Sequence, residues 1–162
     1  MPFLGTKRFL RKLFTCNVND FKPYNMKKSY IHTRQKGNKA KDIACLFVKN
    51  KGFGVIERNY QKKWGEIDII ARKINKNDSL FSDNITHFFE VKSSFSYTNF
   101  NKYRPEENVH NLKVRHIRSM IQTFMHENNL LKEGKFQFHV LVVHMNLSTH
   151  LAKVEWLQDI IL

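Results

Sequence analysis

Three carboxylates and one ammonium occur in two strand-like segments, Gly65-Glu66-Ile67-Asp68-Ile69-Ile70-Ala71 and Ile85-Thr86-His87-Phe88-Phe89-Glu90-Val91-Lys92. Side chains at i and i+2 of a strand share a face. Glu66 therefore projects with Asp68, and Glu90 with Lys92, while Ile67, Ile69 and Ala71, and Phe89 and Val91, turn toward a core. Carboxylates held close together repel and raise one another's pKa unless a cation neutralises them. Hard divalent ions such as Mg2+ take carboxylate oxygens in such groups. The spacing predicts a metal site with a lysine beside it, on the rim of a small sheet. A purely structural salt-bridge cluster is the competing reading.

The elements that must position these groups follow from hydrophobic periodicity. Ala40, Ile43, Ala44, Phe47 and Val48 recur at helical spacing, with Lys39, Lys41, Asp42 and Lys49 on the other side, and Gly52 is a plausible C-cap. Phe53 to Tyr60 reads as a strand, and Gln61 to Trp64 turns into the strand Gly65 to Arg72. Asn75 to Asn84 reads as a polar hairpin loop before a third strand that ends at Lys92 or Ser93. Ser94 to Pro105 is a polar and aromatic loop, with Phe95, Tyr97, Phe100 and Tyr103 either lying over a substrate or packing down. A helix is predicted from Glu106 to about Asn128. Phe136 to Met145 is apolar enough to be a strand covered on both faces. Val154 to Leu162 reads as a short strand leading into a last turn of helix. The order helix, three strands, crossover helix, strand implies an α/β fold with a mixed sheet and helices on its faces.

The chain has 162 residues and a formal charge of +14. Residues 1–36 hold nine Lys or Arg against one Asp, a net +8 that leaves +6 for the remainder. We read them as a basic, flexible N-terminal extension ahead of one domain over 37–162. Phe9, Leu10, Leu13 and Phe14 among Lys7, Arg8, Arg11 and Lys12 suggest one or two turns of basic amphipathic helix, suited to a surface anchor or an organellar presequence. A basic body favours polyanions, chiefly nucleic acid or an anionic membrane. No apolar run is long enough to span a bilayer. Cys16 and Cys45 form no Cys-x-x-Cys motif, so a reducing, cytoplasmic setting is expected. The histidines lack zinc-ligand spacing; His87 and His139 read as packed residues. Trp64 either anchors the strand entrance or stacks a base.

Arg58-Asn59-Tyr60, then Gly65-Glu66-Ile67-Asp68-Ile69-Ile70-Ala71, then Phe89-Glu90-Val91-Lys92 give the chain from Gly37 onward a specific resemblance. It resembles the YraN-like (UPF0102) proteins, which are similar to nucleases of the PD-(D/E)xK, or restriction-endonuclease-like, superfamily. The resemblance implies that Asp68 is the acidic member from the second strand and that Glu90 and Lys92 are the acidic residue and lysine from the third. It also marks Lys113 as a position usually basic. Two positions depart from the pattern. Lys41 stands where the family usually has Glu, and His139 where it commonly has Asp.

On this reading Asp68, Glu90 and the Val91 carbonyl would hold Mg2+ or Mn2+, and Lys92 would orient the attacking water and offset negative charge growing on phosphoryl oxygens. Glu66 is a candidate for organising water or a second ion, or else a surface carboxylate. Lys62, Lys63, Arg104, Lys113 and Arg115 are candidate phosphate contacts, which give affinity without sequence information. The expected function is metal-dependent, endonuclease-like hydrolysis of nucleic acid, DNA more than RNA, with homodimerisation a way to cut two strands. The alternative is a catalytically inactive nucleic-acid-binding adaptor with the same fold. A structural basic protein of a ribonucleoprotein would account for the charge but not for Glu66, Asp68 and Glu90.

Overall fold

In the computed structural model the described residues are 11–17, 33–75, 81–96, 111–130 and 134–160. The first helical pattern forms α1 (Thr33–Asn50), which buries Ala40, Ile43, Ala44, Phe47 and Val48 as their spacing requires. It closes through the Lys51 N–H to the Phe47 carbonyl at 3.0 Å and the Gly52 N–H to the Lys49 carbonyl at 2.9 Å. Gly52 has φ 84, a left-handed conformation that costs glycine little because it lacks a Cβ.

Strands β2 (Phe53–Lys62), β3 (Gly65–Ile74) and β4 (Phe81–Ser96) form the expected antiparallel meander. Helix α2 (Asn111–Glu127) carries the chain across the sheet, so that β5 (Lys135–Asn146) lies parallel to β4. β6 (Leu151–Leu157) returns antiparallel to β5, and β1 (Arg11–Asn17) pairs antiparallel with β6. The result is a six-stranded mixed sheet in the order β1-β6-β5-β4-β3-β2. Its segment α1-β2-β3-β4-α2-β5 has the restriction-endonuclease-like order expected from the sequence.

Two apolar clusters cover the two faces. Under α1 lie Ile69, Ala71, Phe89, Leu141, Val143 and Trp156. Under α2, Ile117, Met120, Ile121 and Phe124 meet Ile67, Ile70, Phe88 and Val142. β5 feeds both clusters and is buried continuously from Phe138 to Asn146, which is why its sequence shows a run and no alternation. Each fully buried side chain such as Phe47 or Phe89 contributes roughly 1.5–3 kcal/mol relative to exposure.

Five expectations need correction. Where helical turns were expected over Phe9–Phe14, residues Arg11–Asn17 run as a strand along β6, satisfying backbone groups that an open edge would leave unpaired. The third strand starts at Phe81, four residues earlier than Ile85; Phe81 pairs with Ile74, and the Arg72 guanidinium lies 4.5 Å from its ring centre. The expected last helical turn does not form before Ile160. The Ile160 N–H donates to the Phe138 carbonyl at 2.8 Å and the Asp159 N–H to His139 Nδ1 at 3.0 Å, so those amides bind β5 and close no helix. Ile67 and Ile69 occupy opposite clusters, so strict alternation breaks at Asp68. Finally, β4 runs on to Ser96, past the expected end at Lys92 or Ser93, so the start of the expected loop from Ser94 to Pro105 is strand, with Phe95 packed against the α1 cluster; the rest of that loop, the proposed helical start at Glu106 and most of the N-terminal extension lie outside the described residues.

Candidate functional site

The β3–β4 ladder ends at the pair Ile69 and Phe89. Asp68 and Glu90 are each one residue beyond it, where the strands part. There the Val91 N–H donates to Asp68 Oδ2 at 2.6 Å, and Lys92 Nζ donates to Glu90 Oε1 at 2.8 Å. Asp68, Glu90, Val91 and Lys92, drawn from two strands, thus meet at one point on the rim of the sheet.

Lys41 is the residue that the helical pattern assigned to a solvated side. Its Nζ lies 2.7 Å from Asp68 Oδ1 and 2.5 Å from Glu66 Oε1, and donates to Asn59 Oδ1 at 3.1 Å. Asn59 faces it from β2 with φ 52, a left-handed conformation that Asn tolerates better than most residues. The neighbouring residues make a second tie, Arg58 Nη2 to Asp42 Oδ1 at 2.5 Å. Lys41-Asp42 on α1 therefore engages Arg58-Asn59 on β2 side by side, which fixes the rotation of the helix and aims the ammonium at the carboxylates. The sequence carried a signal for this, since both dipeptides stood out, but their pairing was visible only in three dimensions.

The electrostatics follow from these contacts. Burial and the charge of Glu90 raise the pKa of Asp68, opposed by hydrogen bonds from Lys41 and the Val91 amide. Burial disfavours the charged form of Lys41, but hydrogen bonds from its ammonium to Asp68 and Glu66 outweigh this and raise its pKa overall. Lys41 is thus held as a cation.

The oxygens decide whether these residues suit a divalent metal. Asp68 Oδ1 is engaged by Lys41, Asp68 Oδ2 by the Val91 amide and Glu90 Oε1 by Lys92. A divalent ion between Asp68 and Glu90 would also face a neighbouring ammonium of like charge. With Lys41 in this position the donor set does not fit Mg2+ or Mn2+. Among the described residues, no group of three or more His, Cys, Asp or Glu is arranged to hold a metal.

The candidate phosphate contacts are distributed unevenly. Lys62 is engaged within the molecule: its Nζ donates to Glu127 Oε1 at 2.6 Å, and Tyr60 Oη donates to Glu127 Oε2 at 2.8 Å. Lys63 and Arg115 are exposed. Lys113 belongs to the first turn of α2, with a side chain outside the description, and Arg104 lies outside it entirely. Trp64, at the β2–β3 turn, is 46% exposed. His139, in place of the family's common Asp, is buried against Phe89 and Trp156, with its Nε2 3.0 Å from His87 Nδ1. Because its Nδ1 accepts from the Asp159 N–H, a neutral His139 carries its proton on Nε2 and donates to His87. Burial, then the neighbouring His87, lowers its pKa to about 3.

A family model described as "Uncharacterised protein family UPF0102" matches residues 40–143, a stretch that holds Lys41, Asn59, Glu66, Asp68, Glu90 and Lys92. The chain belongs to the UPF0102 family. It is similar to a UPF0102 protein of Sulfurihydrogenibium sp. (strain YO3AOP1), 36% identical over 118 residues, covering 72% of this chain and 90% of the relative. A UPF0102 protein of Helicobacter hepaticus is 45% identical over 67 residues, 41% of this chain and 53% of the relative. One of Campylobacter lari is 52% identical over 58 residues, 36% of this chain and 44% of the relative. The match thus spans about half the length of the last two relatives. Among solved structures, Pyrococcus furiosus SfsA in complex with Ca2+ shares 15% identity at a TM-score of 0.34, over 78% of this UPF0102 chain and 62% of that chain. No residue role is taken from so slight a likeness.

Proposed function

We propose that this UPF0102 chain binds the phosphodiester backbone of nucleic acid, DNA in preference to RNA, where β3 and β4 part, as a binding protein of nuclease-like build. The observation that carries this reading is the Lys41 ammonium against Asp68 and Glu66, which offsets carboxylate charge at the site from within the chain itself. The chain's net charge of +14 supports a polyanionic partner, and Lys63 and Arg115 are exposed cations suited to phosphates. Fluorescence anisotropy with labelled duplex DNA, single-stranded DNA and RNA tests it. Binding should persist in EDTA, favour DNA and weaken in Lys63→Glu and Arg115→Glu. Equal affinity in both variants would remove these phosphate contacts, and no binding to any of the three would end the proposal.

A second reading, hydrolysis in Mg2+ or Mn2+, is favoured by one observation: Asp68, Glu90 and Lys92 come together at the strand rim. It requires Lys41 to withdraw, and the arrangement described here offers no hydrolytic step through such an ion. Metal-dependent cleavage of DNA that disappears in Asp68→Asn and Glu90→Gln would establish this second reading in place of the first.

A further inference from the structure

We infer that Lys41 is a built-in cation that takes the place of a divalent ion at this site and makes it independent of metal. The inference deepens the reading above and rests on it for one consequence, nucleic-acid binding that needs no divalent ion.

Three observations carry it. The first is saturation. A lysine ammonium has three N–H donors and no acceptor, and three oxygens surround Lys41 Nζ: Glu66 Oε1 at 2.5 Å, Asp68 Oδ1 at 2.7 Å and Asn59 Oδ1 at 3.1 Å. The second is aim. The Arg58–Asp42 pair beside it ties the same turn of α1 to the same stretch of β2, and Asn59 adopts its left-handed backbone where it supplies the third oxygen. Such local strain is sustained only where the surroundings hold it. The third is charge. Among the described residues that make these contacts, Glu66, Asp68 and Glu90 carry three formal negative charges, and Lys41 with Lys92 returns two, leaving minus one. Glutamate in place of Lys41 would leave minus three, and one bound divalent cation would restore minus one. One ammonium here has the same charge as a carboxylate together with its metal.

The two solutions are mutually exclusive in space. An ion drawn to Asp68 would have to replace the hydrogen bond to Lys41 and then tolerate an ammonium a few ångströms away, where like charges repel strongly at low dielectric. An ammonium on a side chain is also present at fixed occupancy, whereas a bound ion depends on its concentration and on competing chelators.

Mn2+ titration of the full chain by isothermal calorimetry, without nucleic acid, tests this directly. Wild type should give no saturable heat. Lys41→Glu should gain a site at least about tenfold tighter than any wild-type binding, and the gain should vanish in Lys41→Glu/Asp68→Asn. Lys41→Ala, which removes the ammonium without adding a carboxylate, serves as the second variant should Lys41→Glu fail to fold. In either folded variant Mn2+ should also raise Tm while leaving that of wild type unchanged. Wild-type Mn2+ binding as tight as in the variants, lost in Asp68→Asn, would overturn the inference. So would absence of Mn2+ binding in folded variants, since the lysine would then not be what keeps the ion out. Anisotropy with duplex DNA in EDTA and in Mn2+ separates the two proposals: no DNA binding in either condition strikes the functional reading, whereas wild-type DNA binding that requires Mn2+ strikes the role given to Lys41.

Discussion

Taking the ammonium of Lys41 away leaves Glu66 and Asp68 without the cation they share, and Asp68 still beside the charge of Glu90. Breaking a well-made ion pair in a protein interior costs several kcal/mol, but this ammonium keeps part of its solvent contact. We therefore expect Lys41→Ala to lose about 1–2 kcal/mol in urea unfolding at neutral pH. The pH dependence has a definite sign. The pKa of Asp68 is already raised by burial and by Glu90, and without Lys41 it rises further. A carboxyl raised in the folded state is destabilising above its folded pKa and ceases to be so once protonated. The deficit of Lys41→Ala relative to wild type should thus shrink as the pH falls through the carboxylate range; a constant deficit would mean that lost packing, not charge, is the cause. His139 gives the opposite case. Its pKa is lowered from 6.5 to about 3, so its stabilisation is complete above 6.5 and is lost as the pH falls toward 3. Between about pH 6 and pH 4, wild-type stability should fall more steeply than that of His139→Met, by up to about 1.4 kcal/mol per pH unit. Parallel profiles would exclude His139 as the titrating group. At this scale the carboxylates and Lys92 were legible, because period-two spacing within apolar runs is a local signal. Lys41 as their partner was not, because helical periodicity assigns a lysine to solvent and does not record which sheet rim the middle of the helix overlies.

Among the elements, the three-stranded meander and the crossover could be read from hydrophobic period and segment length. The edge strand β1 could not. Its basic and apolar residues at Arg11–Asn17 suit a helical turn equally well, and only the open side of β6 selects the extended form. Removing residues 1–17 should therefore leave β6 as an exposed edge. Hydrogen exchange at amides of Leu151–Leu157 should accelerate, and the truncated chain should associate more readily in size-exclusion chromatography. Unchanged protection along β6 would mean that β1 contributes no lasting hydrogen bonds there. The break in alternation at Asp68 was equally hidden. A strand pattern assigns faces by parity, whereas here the ladder ends beside the site and Ile67 crosses to the α2 cluster. The irregularity falls at the residue that needs to reach Lys41, Glu90 and the Val91 amide together.

For the whole molecule, the net charge of +14 governs how it meets a polyanion. The logarithm of DNA affinity should fall linearly with the logarithm of salt concentration, and each lysine or arginine that touches a phosphate should, when removed, reduce the slope by about one. Lys63→Ala and Arg115→Ala are expected to do so. Lys62→Ala should change the slope less, because its ammonium is engaged by Glu127, and a full unit of change there would show that DNA displaces that pair. No helix among the described residues is long and apolar enough to cross a membrane.

The pairing of Arg11 with Leu157 at one margin of the sheet also bears on how the chain is made. On a ribosome β1 is made well before its partner β6, and the α1 and meander regions can already collapse behind it. Nascent chains arrested before β6 should carry β1 unattached, an unpaired strand that chaperones would be well placed to shield.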